Sequence, residues 1–133
     1  MWLLRTLAVN RQLAVLLVTH DWGVVADLCD RAIVMYAGQV VEAAGVNEIF
    51  ALARHPYTRA LRAADPHALA IDSRLPAIPG QVPPPGAWPT GCRFADRCAF
   101  AIESCTVAEI PLLEMDPEHL ARCIRAEELA DVL

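Results

Sequence analysis

QLAVLLVTHDWGVVADLCD, residues 12–30, joins an apolar run to a polar step and then to a helical pattern. Leu13 to Val18 is continuously apolar with two valines, too short for a bilayer span and bounded by polar residues, which predicts a strand covered on both faces. Thr19-His20-Asp21 then falls at its carboxyl end. In open α/β sheets, ligands bind in the crevice beyond the carboxyl ends of the strands, so His20 is a candidate catalytic residue. Asp21 fits equally well as a plain helix cap, because its carboxylate satisfies free N–H groups of the first turn. Trp22 to Leu28 reads as that helix, with Val24, Val25 and Leu28 inward.

The neighbouring residues extend the pattern in both directions. Trp2 to Val9 reads as a helix whose Leu3, Leu4, Leu7 and Ala8 form one apolar stripe. Cys29 reads as a small core residue. Ala32 to Tyr36 and Gln39 to Ala43 predict two strands joined across Ala37-Gly38, with Gly38 supplying a positive φ and Glu42 as a solvated strand residue. Asn47 is expected to cap a helix over Glu48 to Leu52, and His55-Pro56 to open another, since proline suits a first helical turn.

LLVTHDWGVVADLCDRAIVMYAGQVVEAAG, residues 16–45, resembles the switch-histidine region of ABC transporter ATPases, through His20, Asp21, Asp30, Arg31, Val34, Met35, Gly38, Val41 and Glu42. HPYTRAL, residues 55–61, is similar to the subgroup that drives dipeptide and oligopeptide importers. The resemblance implies that His20 contacts the γ-phosphate and the attacking water across a closed ATPase dimer. A complete ATPase of this kind also carries a phosphate loop G-x-x-x-x-G-K-[ST]. That loop, the glutamine loop, the L-S-G-G-Q signature and the Walker B acidic pair are missing from the sequence, which contains no lysine. Phosphoryl transfer depends on positioning and charge stabilisation by those parts, so the chain alone is expected not to hydrolyse ATP.

Bulk properties exclude other classes. With 133 residues the chain has room for one ordinary domain, or a small one with an appendage. Its 11 basic against 16 acidic residues leave a net charge of −5 and no basic run, which disfavours a nucleic-acid partner. Although 56% of residues are hydrophobic, no apolar stretch approaches the roughly 18 to 20 residues of a membrane span. Arg5 breaks the apolar opening, and no small-residue cleavage site follows, so the N-terminus does not read as a signal peptide.

Residues 65–90 change character: Pro76, Pro79, Pro83, Pro84, Pro85 and Pro89 crowd the stretch, which predicts an extended or turn-rich linker. Beyond it lie Cys92, Cys98, Cys105 and Cys123, spaced C-x5-C-x6-C-x17-C. Disulfides are rare in the cytosol, where an ATPase would work, so clustered thiols point to ligation of a metal or cluster. Chemistry alone leaves the choice open. Zinc usually takes close C-x2-4-C knuckles, and the spacing matches neither common ferredoxin pattern. His119, four residues before Cys123, is a further candidate ligand, or an ordinary polar helix residue. Arg93 and Arg97 read either as partners of a cluster's negative charge or as surface charges.

In peptide-importer ATPases a similar segment, matched here by Leu75, Pro76, Ile78, Gly80 and Pro83, leads to a cysteine-bearing extension, and some members hold a [4Fe-4S] cluster there. The implied fold class is therefore α/β: a partial ABC-type nucleotide-binding domain of the P-loop NTPase kind over residues 1–64. A proline-rich linker over 65–90 follows, then a small irregular four-cysteine extension over 91–133. The implied function is the C-terminal portion of a peptide-importer ATP-binding subunit, peripheral at the cytoplasmic membrane face. Its implied partners are permease subunits and a paired ATPase subunit, and its implied cofactors ATP with Mg²⁺ in the intact subunit and [4Fe-4S], with zinc as the other option. The competing expectation is a non-enzymatic metal-binding module, either a truncated remnant or a partner docking on another ATPase.

Overall fold

The computed structural model describes residues 2–65 and 76–130. Leu75 and the first half of the linker lie outside the described residues. The elements are α1 (Trp2–Arg11), α2 (Trp22–Leu28), β1 (Arg31–Tyr36), β2 (Gln39–Gly45), α3 (Val46–Leu52), α4 (Pro56–Ala63), α5 (Ser104–Val107), β3 (Leu113–Asp116) and β4 (His119–Ala121). Together they make a small α/β arrangement with one antiparallel sheet, in the order β1-β2-β4-β3.

The expected strand at Leu13–Val18 does not form. These residues follow α1 outside any helix or strand, with the Leu13 N–H still bonded to the Ala8 carbonyl at 2.9 Å and with Leu16 90% and Val18 92% exposed. An apolar run states that a segment wants burial, whereas a strand also needs a neighbour for its N–H and C=O groups. The described residues supply no such neighbour. The α1 stripe shares this state, with Leu3, Leu4 and Leu7 all exposed.

Local rules hold well in the next segment. Asp21 Oδ1 accepts the Val24 N–H at 3.0 Å and caps α2, whose Trp22 is buried edge-on against Phe50 at 5.4 Å. The β1–β2 hairpin turns on Ala37 (φ 48°) and Gly38 (φ 77°). Both central residues are left-handed, as the two-residue turn that matches strand twist requires. Alanine tolerates this conformation less readily than glycine, and a donor helps to hold it: the Arg93 guanidinium bonds the Ala37 carbonyl at 2.6 Å.

Two expectations in this region are corrected. Helix α3 begins at Val46 with Gly45 at the cap and no side-chain cap bond, so Asn47 lies inside the helix. Instead of cap chemistry, the start is set by β2 running directly into the helix, with the Val46 N–H bonded to the Asp30 carbonyl at 3.0 Å. Glu42 is not solvated; it is 0% exposed.

The core joins Trp22, Val34, Tyr36, Val41, Ala44 and Ile49 to Phe94, which arrives from the cysteine-bearing segment. Phe94 sits 5.2 Å from Tyr36 and 5.3 Å from Tyr57, edge-on or tilted, a favourable arrangement for aromatic rings. Arginines tie the connecting loops to this core. Arg97 donates to the Ile78 and Pro79 carbonyls and to the Tyr36 hydroxyl, and Arg122 to the Val40 and Ile110 carbonyls. Arg93 and Arg97 are thereby committed to carbonyls, with Arg93 also stacked on Trp88 at 3.7 Å.

Candidate functional site

His20 lies exposed at the polar step before α2. Around it the Asp21 N–H donates to Thr19 Oγ1 at 3.0 Å, so the step is built as a capped helix entry that leaves the imidazole free-standing at the surface.

The four cysteines converge. Cys92, Cys98, Cys105 and Cys123 all border one small cavity of about 20 Å³, whose remaining wall includes His55, Phe94 and Leu129. All are free thiols. Three of them share one local construction. Each starts a turn in which its carbonyl accepts the N–H three residues on: Cys92 from Ala95 at 3.0 Å, Cys98 from Ala101 at 3.2 Å, Cys123 from Ala126 at 3.3 Å. In each, the N–H two residues on, from Phe94, Phe100 and Arg125, is directed at the sulfur. The fourth is pinned to the first, since the Cys92 N–H donates to the Cys105 carbonyl at 2.8 Å.

The electrostatics oppose free thiolates here. Burial raises the Cys92 and Cys98 pKa values, and the neighbouring cysteines add to the rise. Cys123 is pushed up to about 11 by burial, with the other three sulfurs opposing a further negative charge. The turn N–H groups and, at Cys98, the Arg125 charge work in the other direction. A cationic centre shared by all four would reverse the balance, because ligation removes the protons outright.

Among the described residues, no three or more His, Cys, Asp or Glu side chains are gathered as a single metal ion needs them. The zinc expectation therefore finds no site. The four cysteines line one common apolar pocket, with backbone N–H donors at three of them. In kind, that donor set suits a larger thiolate-bound group.

Beside the cavity lies a polar cluster that sequence reasoning missed. Glu42 Oε1 accepts the Arg54 N–H at 2.6 Å and faces His119 Nε2 at 2.7 Å, and its Oε2 accepts the His55 N–H at 2.9 Å. His119 is buried on strand β4, not on a helix, and its Nε2 is engaged by the carboxylate rather than free for a metal. His55 caps α4 through Nδ1, which accepts the Tyr57 N–H at 3.0 Å. Burial, with the Arg122 charge second, lowers the His55 pKa to about 4 and keeps the ring neutral.

Residues 41–105 match the family model described as the oligopeptide/dipeptide transporter C-terminal region. A probable peptide ABC transporter ATP-binding protein of Sinorhizobium fredii is 48% identical over 120 residues, covering 90% of this chain and 36% of that protein. A putative peptide import ATP-binding protein of Brucella melitensis is 45% identical over 123 residues, or 92% of this chain and 37% of its own length. The oligopeptide transport ATP-binding protein OppD of Mycobacterium tuberculosis is 48% identical over 114 residues, or 85% of this chain and 19% of its length. The chain thus spans well under half the length of each of these relatives. With its HPY turn, its hairpin and its cysteine-bearing segment inside or beside the matched residues, the chain belongs to the oligopeptide/dipeptide transporter family and corresponds to the C-terminal region of peptide ABC transporter ATP-binding proteins.

Proposed function

We propose that the intact protein is the ATP-binding subunit of a peptide importer, coupling ATP hydrolysis with Mg²⁺ to transport at the cytoplasmic face of a membrane. The observation that carries this reading is identity of 45–48% to peptide ABC transporter ATP-binding proteins across 85–92% of the chain. Its partners in this reading are permease subunits and a second ATPase subunit. Among the described residues no helix is long and apolar enough to cross a membrane, which fits a subunit that relies on those permeases. His20 is assigned the γ-phosphate contact, for which an exposed imidazole at a capped helix entry is suitably placed. Residues 1–64 are then part of the nucleotide-binding domain and 91–133 an extension whose strands complete the same sheet.

Within that extension, Cys92, Cys98, Cys105 and Cys123 are assigned to a [4Fe-4S] cluster. When bound, the cluster supplies four ligand bonds that tie distant loops together and a one-electron centre. The residues present would hold it by their thiolates, direct the Phe94, Phe100 and Arg125 N–H groups at its sulfur ligands, and exclude water with Phe94 and Leu129. The rival reading, a free-standing metal module, is not favoured, since the relatives are ATP-binding proteins and no single-ion group exists among the described residues.

The test is anaerobic purification of the chain, with iron, sulfide and zinc analysis and an ATPase assay. About four iron and four sulfide per chain, with broad absorbance near roughly 400 nm, is the expected result. One zinc or no metal overturns the cluster assignment. Turnover of ATP by the isolated chain, which has no phosphate loop, overturns the assignment of its missing parts to the intact subunit.

A further inference from the structure

Two stretches of the C-terminal extension meet in backbone contact at Gly91-Cys92 and Cys105-Thr106. The Cys92 N–H donates to the Cys105 carbonyl at 2.8 Å, and a Cβ on Gly91 would collide with that same oxygen and lie 2.8 Å from Thr106 Cα. The hydrogen bond limits how far apart the two cysteines can be. It is 2.8 Å long, the Cα of Cys92 is about 1.5 Å from its donor nitrogen, and the Cα of Cys105 is about 2.4 Å from its acceptor oxygen. Laid end to end, these lengths separate the two Cα atoms by at most about 6.7 Å. Bridged cysteines have Cα separations of about 4.4–6.8 Å, so this pair already lies within bridging range. Among the described residues, no other two of Cys92, Cys98, Cys105 and Cys123 are joined by a backbone hydrogen bond.

Both cysteines also border the same cavity, which at about 20 Å³ has room for about one water molecule. Burial raises the Cys92 pKa and the Cys98 and Cys105 sulfurs raise it further, so the Cys105 sulfur is near enough to act on that of Cys92. A four-iron group enters so small a space only if the surrounding loops part. Two thiols that join each other need no such room.

We propose that Cys92 and Cys105 form a reversible dithiol/disulfide pair, bridged by hydrogen peroxide when no group is bound to the four thiols. The proposal concerns the chain without a cluster and does not rest on the cluster assignment. Cys92, the less buried of the two, reacts first: its thiolate attacks one peroxide oxygen, the O–O bond breaks, and one water leaves. Cys92 is then a sulfenic acid. The Cys105 sulfur attacks Cys92 Sγ, the S–O bond breaks, and a second water carries away the sulfenic oxygen. In sum two thiols give up two electrons and two protons, and one peroxide becomes two waters. The Phe94 and Ala95 N–H groups favour the Cys92 thiolate against its burial. While the bridge lasts it occupies two of the four thiols, so any group that needs all four is excluded.

The experiment treats the full chain, stripped of metal by a chelator and kept dilute, with one equivalent of hydrogen peroxide. Remaining thiols are then blocked and the peptides mapped without reduction. Cleavage after Arg93, Arg97, Glu103 and Arg122 places Cys92, Cys98, Cys105 and Cys123 on separate peptides. The expected result is loss of two of the five free thiols, a peptide pair joining Cys92 to Cys105, and return of both thiols on adding a dithiol reductant. Bridging chiefly of another pair, within one chain or between two, overturns the proposal, as does retention of all five thiols or sulfinic acid at Cys92 without a bridge. In concentrated urea the same oxidation should shift to the nearer neighbours in sequence, Cys92–Cys98 and Cys98–Cys105; an undiminished Cys92–Cys105 preference there overturns the role given to the folded backbone contact. Iron and sulfide analysis of the unstripped chain decides the cluster assignment separately, so the two failures are distinguishable.

Discussion

Replacing Glu42 by glutamine keeps the shape of the most buried acidic side chain described and changes only its hydrogen-bonding capacity. Its carboxylate meets three donors, from Arg54 at 2.6 Å, His119 at 2.7 Å and His55 at 2.9 Å. A glutamine has one oxygen. In its better orientation the oxygen serves Arg54 and His119, and the amide nitrogen then faces the His55 N–H, donor against donor. The loss is one bond to a charged acceptor, about 1.5–3 kcal/mol, plus weakening of the other two. Relief of the buried charge's desolvation offsets part of it. The net expectation is a loss of about 2–4 kcal/mol. With a urea m-value of about 1–3 kcal/mol/M, the unfolding midpoint should fall by roughly 1–2 M. Glu118→Gln is the control, because Glu118 is paired with Arg31 at 2.8 Å but its side chain is 82% exposed. Such pairs contribute only about 0–1 kcal/mol. Urea titrations followed by far-ultraviolet circular dichroism decide the matter. A Glu42→Gln loss no larger than that of Glu118→Gln refutes the view that this cluster locks the C-terminal strands to the hairpin.

Stability should also fall on acidification through His55. Its ring is neutral in the folded state with a pKa near 4, while the unfolded ring takes up a proton below its ordinary value of 6.5. The contribution is therefore full above about pH 6.5 and lost progressively down to about pH 4, amounting to about 3 kcal/mol. A urea midpoint whose decline between pH 7 and pH 4 is the same in His55→Asn as in the unaltered chain refutes this. Gly91→Ala should cost about 2–4 kcal/mol, because its Cβ would collide with the Cys105 carbonyl oxygen and lie 2.8 Å from Thr106 Cα, both backbone. Relief requires breaking the hydrogen bond from the Cys92 N–H to the Cys105 carbonyl, so labelling of Cys105 by a thiol reagent should accelerate; an unchanged midpoint and labelling rate would refute the prediction.

The features legible in the sequence are those decided within a few residues. Asp21 before a helical pattern, Gly38 between two strands and Pro56 after His55 each satisfy or relieve a local backbone demand, and each is found where expected. The features that escaped depend on distant partners. Leu13–Val18 has a strand's composition, but pairing is decided by neighbours that the segment itself does not encode. Glu42 looks solvated in a strand pattern; its burial depends on donors from Arg54 and His55, a dozen residues on, and from His119 on another strand. His119 was ambiguous because a three-residue strand carries too little periodicity to distinguish from a helix end. The shared turn at Cys92, Cys98 and Cys123 has a faint signature, alanine at the third position after each cysteine. The same spacing at Cys29 and Cys105 deprives it of selectivity.

The pairing of β2 with β4 sets a timetable for the nascent chain. Glu42 lies opposite Ala121, and the two are about 80 residues apart in sequence. At a synthesis rate of roughly 5–20 residues per second, several seconds pass between the emergence of the hairpin and the arrival of the strand that covers it. Closing so long a loop is also entropically late. Throughout that interval β2 presents a bare edge of N–H and C=O groups to every other chain leaving a ribosome nearby. An inward-pointing charge on such an edge discourages foreign strands from adding to it, since they bring no donors to receive it. Glu42, later a clamp, is at that stage a guard: the side chain that His119 eventually engages is the one that keeps the place free until His119 has been made.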